Sequence, residues 1–149
     1  MDKKGRTPAK PVAERWVRGK DITPRIIRRF ARAVAERFAP EKIILFGSHA
    51  YGTPHEDSDV DILVVMPARN ELDQALRIRL AMEYNFSLDL IVRTPSNLAW
   101  RLKEGDWFLR EITAKGKVLY AKPNAGVDSE SGGGLGKRSK ARSRPSGDA

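Results

Sequence analysis

The sequence predicts a two-layer α+β fold, in which a small mixed β-sheet has helices packed on one face. Four short apolar runs of strand type lie between residues 42 and 120, and segments with helical spacing precede and separate them. Elements in this order pack as a sheet covered by helices. A chain of 149 residues is long enough for one domain of this kind.

The first predicted element is a helix that begins at Thr23 and Pro24, because threonine is a good N-cap and proline suits the first helical position. Apolar side chains recur at helical spacing up to Phe38, and we expect the helix to end near Pro40. Its other side carries a row of arginines, namely Arg25, Arg28, Arg29 and Arg32. We interpret this row as a solvated helix face, with partner binding as the alternative.

Two strands and a second helix follow. The run KIILF, residues 42 to 46, stops at Gly47, and the run DVDILVV, residues 59 to 65, stops at Pro67. Residues 70 to 84 then return to helical spacing, which is carried by Leu72, Ala75, Leu76 and Leu80.

The C-terminal part of the domain repeats this pattern. The run SLDLIV, residues 87 to 92, predicts a third strand, and Thr94 with Pro95 predicts the start of helical segments across residues 95 to 114. Trp100 and Trp107 lie beside other large apolar residues, so we expect both in the core. Gly116 ends the helices before KVLY, a short edge strand at residues 117 to 120.

Positive charge is concentrated at the two ends of the chain. The net charge is +9; residues 1–20 carry +5 and residues 121–149 carry +3, which leaves +1 for residues 21–120. We expect residues 1–20 and 122–149 to be disordered tails around a domain at residues 21–121. Basic tails can contact nucleic acid weakly through its phosphates, or they can simply keep the protein in solution.

Composition excludes several kinds of site. The chain has no cysteine and only two histidines, His49 and His55, so disulfides are excluded and a zinc site is not expected. No run approaches the roughly 20 apolar residues that span a bilayer. We therefore expect a cytoplasmic protein with no membrane partner.

An acidic cluster stands between two apolar runs in the stretch ILFGSHAYGTPHEDSDVDILVV, residues 44 to 65. A calcium-binding loop starting at Asp57 would need glycine where Ile62 stands and glutamate where Ala68 stands. A phosphate-binding loop spanning Gly47 to Gly52 would need lysine where Thr53 stands. Both motifs therefore fail.

A combined site remains. Side chains two apart on a strand share a face, so Asp59 and Asp61 should lie roughly 7 Å apart, and Asp89 on the next strand can join them. Converging carboxylates repel one another unless a cation is present, and Mg²⁺ is the natural occupant. Gly47 and Ser48 should offer backbone N–H groups and a hydroxyl to phosphate. The alternative is a loop-to-strand junction with solvated acids.

These residues resemble a known family. The pair GS, ten intervening residues, then DVD, and LDL after a helix, resembles the nucleotidyltransferase superfamily that includes DNA polymerase beta. The length resembles its minimal nucleotidyltransferases (MNT) of bacteria and archaea, and the resemblance covers residues 23–121. It implies a polymerase beta-like fold, in which Gly47 and Ser48 hold the triphosphate.

The resemblance also implies roles for the acids and the neighbouring histidine. Asp59, Asp61 and Asp89 would bind magnesium, as two ions, and Asp89 would also deprotonate the acceptor hydroxyl. His49 stands at a nucleotide-binding position where many members have arginine, so a permanent charge is replaced by one that titrates near neutrality.

The function implied by the resemblance is transfer of a nucleoside monophosphate, AMP from ATP, to a hydroxyl. The acceptor would belong to a helical HEPN-domain partner, in a toxin–antitoxin pair. Two alternatives remain open at this point. One is a module that binds nucleotide or a partner without turnover, and the other is a nucleic-acid-associated protein that binds through its basic tails.

Overall fold

The computed structural model describes residues 15–123, which form one four-stranded sheet with helices packed around it. The strands are β1 (Lys42–Phe46), β2 (Val60–Val65), β3 (Leu88–Arg93) and β4 (Lys117–Ala121). The helices are α1 (Pro24–Phe38), α2 (Ser48–Tyr51), α3 (Glu71–Ala81), α4 (Pro95–Lys103) and α5 (Trp107–Lys115), preceded by a 3-10 turn at Gly19–Asp21. Most of the two predicted tails, residues 1–14 and 124–149, lies outside the described residues.

The strand order is β3-β2-β1-β4, so β3 and β4 lie at the edges of the sheet. β1 runs antiparallel to β2 and β4, whereas β2 and β3 are parallel. A parallel pair requires a crossover connection, and α3 supplies it between β2 and β3. The mixed sheet confirms the predicted α+β class.

Helices α1 and α3 cover one face of the sheet. α1 begins where predicted, because the Thr23 hydroxyl oxygen accepts the Ile26 N–H at 3.2 Å. It ends at Ala39, which has a positive φ of 47°. The buried side chains on this face come from both helices and from alternate strand positions: Ile27, Phe30, Val34, Ile43, Leu45, Ile62, Val64, Ala75 and Ile78. Their removal from water is the main term that stabilises this layer.

Helices α4 and α5 cover the other face. The buried residues there are Ile44, Phe46, Leu63, Val65, Leu109 and Ile112. The expectation that helices pack on only one face was therefore wrong. The physical reason lies in the strands, since the runs IILF and ILVV are apolar at every position, and such strands are buried on both sides.

The leucines whose spacing predicted α3 do not form its buried side. Leu72 is 84% exposed and Leu80 is 78% exposed, while Ala75 and Ile78 face the sheet. A helix presents one stripe of side chains to a sheet, and the Ala75–Ile78 stripe occupies that position here.

The two tryptophans expected in the core lie on the surface. Trp100 is 58% exposed and Trp107 is 73% exposed, so that expectation was wrong. Leu98 of α4 and Leu109 of α5 supply the packed side of those helices instead. No helix within residues 15–123 is both long and apolar enough to cross a membrane.

Residues 15–20 pack on the folded domain, although the predicted domain starts at residue 21. The Val17 N–H donates to the Asn85 carbonyl at 2.7 Å, and Val17 forms a bridge with Phe86. The Gly19 N–H donates to the Glu56 carbonyl at 3.0 Å. This segment therefore covers the loop before β2 and the approach to β3.

Candidate active site

The predicted acidic residues meet at one end of the sheet. At this end of the sheet β1 ends at Phe46. β2, which is antiparallel to β1, and β3, which is parallel to β2, both begin there. Asp61 is the register partner of Phe46 on one side and of Asp89 on the other. Because residues two apart share a face, Asp61 and Asp89 lie on the same face of the sheet as Leu63 and α5. We call Asp59, Asp61 and Asp89 the acidic end of the sheet.

Gly47 connects β1 to the short helix α2 in a backbone conformation that excludes other residues. Its φ is 77° and its ψ is −162°, a region that is essentially restricted to glycine. A Cβ at this position would also overlap the Asp61 carboxylate oxygen. The glycine therefore lets the backbone approach Asp61 closely, and this contact links the predicted nucleotide-binding turn to the acidic end.

Ser48 opens helix α2 beside this contact. The Gly47 carbonyl accepts the N–H groups of Ala50 at 2.9 Å and Tyr51 at 3.1 Å. The N–H groups of Ser48 and His49 belong to the first turn of the helix, so they have no carbonyl partner within it. Together with the Ser48 hydroxyl, these donors are suited to a phosphate oxygen.

The carboxyl of Asp61 is half-buried, and its protonation reflects that position. Burial and, to a smaller extent, the negative charges of Asp89 and Asp59 together raise the pKa of Asp61 to about 6. Ionising this group near neutral pH therefore costs free energy as long as no cation lies close by.

Asp59 lies just before β2 and is exposed, so it is held less tightly than Asp61. The Ser87 hydroxyl donates a short hydrogen bond to its Oδ1. This bond ties the approach to β2 to the approach to β3. Sequence reasoning missed Ser87, whose one signal is its position two residues before Asp89 on the neighbouring strand.

The side chains at the acidic end determine whether a metal ion fits there. Within residues 15–123, no three acidic or histidine side chains are close enough to form a ready-made metal site. The side chains that do meet are carboxylates, and Mg²⁺ typically takes one or two carboxylates and fills its remaining positions with water and substrate phosphate. A cation would also remove the repulsion that raises the pKa of Asp61. The residues fit a magnesium ion shared with a phosphate.

His49 differs from the expectation that it titrates near neutrality. Burial lowers its pKa, and a hydrogen bond with the Ser58 backbone and the charge of Asp59 offset that effect only in part. Its Nε2 is buried and has no hydrogen-bond partner. His49 is therefore a neutral side chain at pH 7, and it does not replace the permanent charge of an arginine.

Ser58 is buried and stabilises the loop from residue 53 to residue 59 through two hydrogen bonds. The Ser58 hydroxyl accepts the His55 N–H at 2.9 Å, and the Ser58 N–H donates to the His55 carbonyl at 3.0 Å. Asp57 is exposed on this loop, and its Oδ1 lies 3.9 Å from Nη2 of Arg18. Ser58 was also missed in the sequence, because only its position next to Asp59 pointed to it.

A cleft of about 380 Å³ opens beside Asp59. The N-terminal segment forms one wall, and the loop before β2 forms the other. Its lining residues are Trp16, Val17, Arg18, Gly19, Glu56, Asp57, Ser58, Asp59 and Ser87. The predicted nucleotide-binding residues Gly47, Ser48 and His49 are not part of this lining.

Comparison with known proteins identifies relatives of the domain. The model of the nucleotidyltransferase domain family matches residues 27–120. The Methanocaldococcus jannaschii protein named "Putative protein adenylyltransferase MJ0604" is 33% identical over 97 residues, which cover 63% of this chain and 94% of that protein. A second protein of that organism, "Putative protein adenylyltransferase MJ0141", is 36% identical over 55 residues, which cover 35% of this chain and 54% of that protein.

Two solved structures are also similar to parts of the chain. One, described as "a putative nucleotidyltransferase from Sulfolobus solfataricus", has a TM-score of 0.47 at 20% identity and covers 66% of this chain and 80% of that chain. The other, described as "the toxin-antitoxin with AMP-PNP", has a TM-score of 0.39 at 22% identity and covers 63% of this chain and 73% of that chain. The family match extends from α1 to β4 and includes the whole acidic end of the sheet. On this match, the chain belongs to the nucleotidyltransferase domain family and is a nucleotidyltransferase enzyme.

Proposed function

We propose that the protein is a magnesium-dependent adenylyltransferase that transfers AMP from ATP to a hydroxyl group of a protein partner. The observation that carries this proposal is the half-buried Asp61, in register with Asp89 and in contact with the Gly47 backbone. Such a carboxylate pair beside free backbone N–H groups suits a nucleoside triphosphate with its magnesium. Similarity to a relative named as a protein adenylyltransferase supports AMP and a protein acceptor.

In this proposal each residue of the site has a defined role. Ser48 and the backbone at Gly47 and His49 bind the triphosphate, with the Ser48 hydroxyl donating to a phosphate oxygen. Asp59, Asp61 and Asp89 would hold magnesium. When bound, the metal neutralises phosphate charge and stabilises the pyrophosphate leaving group. Ser87 positions Asp59 through its hydroxyl.

The transfer forms one bond, breaks one bond and moves one proton. The acceptor oxygen forms a bond to the α-phosphorus of ATP, and the bond from that phosphorus to the bridging oxygen of the β-phosphate breaks. Pyrophosphate leaves with the electron pair of the broken bond. The acceptor hydroxyl proton passes to the Asp89 carboxylate, which is exposed at the mouth of the site.

The partner belongs to the same proposal. Resemblance to the minimal nucleotidyltransferases supports a helical HEPN-type toxin as acceptor, with this chain as the antitoxin of the pair and the cytoplasm as the place of action. The cleft beside Asp59 is a suitable place for the acceptor segment, because it opens next to the carboxylates and is lined by the exposed Trp16.

The test is transfer of label from ATP that carries ³²P at the α-phosphate, with a helical HEPN-type protein as the acceptor. We expect Asp61→Asn and Asp59→Asn to reduce labelling by at least about 100-fold. Asp57→Asn removes a neighbouring exposed acid of the same loop and should leave labelling unchanged. Equal labelling by wild type and Asp61→Asn would rule the proposal out.

A second candidate function is nucleotide binding without turnover. His49 favours it, because a neutral histidine with a lowered pKa stands where many family members have a permanent positive charge. Tight binding of ATP with magnesium, combined with no release of pyrophosphate in the presence of the partner, would support this second function. Transfer that rises in His49→Arg would instead show that the wild-type site is a weak catalyst.

A further inference from the structure

Helix α1 concentrates positive charge, and it covers the face of the sheet opposite to the one on which Asp61 and Asp89 lie. It contains five arginines and one glutamate, a net charge of +4. Subtracting this from the +1 of residues 21–120 leaves −3 for the remainder of the domain. The nearly neutral domain is therefore strongly polarised, with its excess positive charge on one helix.

The arginines of this helix are free to bind a ligand. We call Arg25, Arg28, Arg29 and Arg32 the arginine face. All four are exposed, and none makes a hydrogen bond or ion pair with another residue of the described part of the chain. Successive turns of a helix lie about 5.4 Å apart, so the face presents a ladder of guanidinium groups over two turns. Guanidinium groups form paired hydrogen bonds to phosphate.

A groove lies along the C-terminal half of this face. Its volume is about 500 Å³, and it is lined by Arg28, Arg32, Ala35, Glu36, Leu119 and Tyr120. The floor is apolar, and the partly buried Tyr120 comes from β4, which is an edge strand. An aromatic ring that shares the lining of a groove with two arginines combines a surface for stacking with donors for phosphate.

We propose that this groove and the arginine face bind single-stranded nucleic acid. An unpaired base stacks on Tyr120, and the arginines contact the phosphates on either side of it. A basic groove with aromatic side chains is the usual way in which proteins hold single strands. This site is separate from the acidic end, and the inference does not depend on the proposed adenylyl transfer.

The composition of the groove favours nucleic acid over an acidic protein segment. Glu36 lies in its lining, where its charge repels phosphates and carboxylates alike, but its oxygens can accept a hydrogen bond from the amino group of a base, a donor that acidic side chains lack. Tyr120 adds stacking, which aspartate and glutamate side chains cannot use. The two chain ends, at +5 and +3, add positive charge that attracts a long polyanion.

The experiment titrates a fluorescein-labelled RNA of about 12 nucleotides with the full-length protein and follows anisotropy between about 50 and about 200 mM salt. We expect Arg28→Gln with Arg32→Gln to weaken binding about tenfold and to lower the salt slope by about 1.4, because each phosphate contact contributes about 0.7 for a single strand. The matched control is Arg69→Gln with Arg77→Gln, which removes the same charge from exposed positions in and before α3.

Stacking is tested separately at Tyr120. Tyr120→Leu keeps an apolar side chain but removes the ring, and it should weaken binding about tenfold, whereas Tyr120→Phe should bind as wild type. A thermal unfolding curve for each variant checks the fold. Rescue by phenylalanine distinguishes stacking from a loss of structure.

Three results would overturn the inference. The first is equal weakening by the groove variant and the α3 control. The second is a larger loss on replacing Lys137, Lys140 and Arg142 by glutamine in the C-terminal tail than on replacing the groove arginines. The third is competition by polyglutamate or by duplex RNA as strong as that of unlabelled single strands, since neither offers an unpaired base.

Discussion

The acidic end of the sheet and the arginine face of α1 differ in how tightly the fold holds their charged side chains. At the acidic end, Asp61 is half-buried, faces Asp89 in register and touches the Gly47 backbone. On α1 the arginines are exposed and unpaired within the described residues. Charge forced close to like charge stores free energy that a bound cation can release, whereas solvated charge stores little. Substitutions at the acidic end should therefore change stability and activity together, and substitutions on α1 should change association alone.

The largest effect is expected from Gly47→Ala. The new Cβ would meet both a φ of 77° that L-residues avoid and the Asp61 carboxylate. We expect a loss of about 3 kcal/mol of unfolding free energy. Transfer should fall at least about 100-fold, because the carboxylate is displaced from the phosphate site. Urea unfolding and the α-labelled ATP assay measure the two quantities.

Gly52→Ala is the matched control for that variant. Its φ is 78°, nearly the same, but a Cβ there would meet no atom within 4 Å. It should cost about 1 kcal/mol of unfolding free energy from backbone strain alone, with transfer nearly intact. If both variants lose activity equally, the contact between Gly47 and Asp61 has no catalytic importance, and the fold does not constrain the acidic end through this glycine.

The next effect is a pH-dependent gain in stability for Asp61→Asn. Since the folded pKa of about 6 lies above the ordinary value of 3.8, ionisation penalises the folded state as pH rises between about 4 and about 6, and the penalty is constant above that. The variant carries no such penalty. We expect it to gain about 1 kcal/mol on wild type across this window in the absence of divalent ions, after discounting for solvent screening of a half-exposed group.

Urea unfolding of both proteins at several pH values checks this prediction. Addition of magnesium should raise the stability of wild type at pH 7 and leave Asp61→Asn unchanged. A gain that is equal at pH 4 and pH 7 would mean that the charge of Asp61 is not the cause. For α1 variants, the difference in unfolding free energy from wild type should not change with pH, because the arginines do not titrate in this range.

The side-by-side placement of Asp61 and Asp89 could be predicted from sequence spacing, because it follows from local rules. The alternation of side chains along β2 puts Asp61 on the face opposite Val60 and Ile62, and the crossover through α3 brings Asp89 into register with Asp61. A glycine after an apolar run predicted the turn at Gly47. Each of these inferences requires only residues close in sequence or a single strand pairing.

The features that sequence did not predict depend on long-range packing. The burial of Ser58 follows from the way residues 17–19 cover the loop before β2, because Gly19 donates to the Glu56 carbonyl and packs against the Ser58 backbone. The stripe of α3 that packs on the sheet was likewise decided by the sheet, because both Leu72–Leu80 and Ala75–Ile78 have helical spacing. Periodicity identifies a helix but does not choose between two apolar stripes.

A smaller effect is expected from Ser87→Ala. The hydroxyl that holds Asp59 is lost, while the backbone pairing of β2 and β3 remains. We expect transfer to fall about tenfold and unfolding free energy to change by less than about 1 kcal/mol. Ser96→Ala, at an exposed position of α4, is the control. Full activity in Ser87→Ala would show that Asp59 needs no positioning by β3.

The smallest effect on the fold is expected from Arg28→Gln with Arg32→Gln. Both side chains are solvated and make no ion pair within residues 15–123, so unfolding free energy should change by less than about 0.5 kcal/mol. Adenylyl transfer should also be unchanged, because neither side chain reaches the acidic end. A clear loss of stability would mean that these arginines are held by contacts with the rest of the chain. The two regions would then differ only in the sign of their charge, since both sets of charged side chains would be structurally constrained.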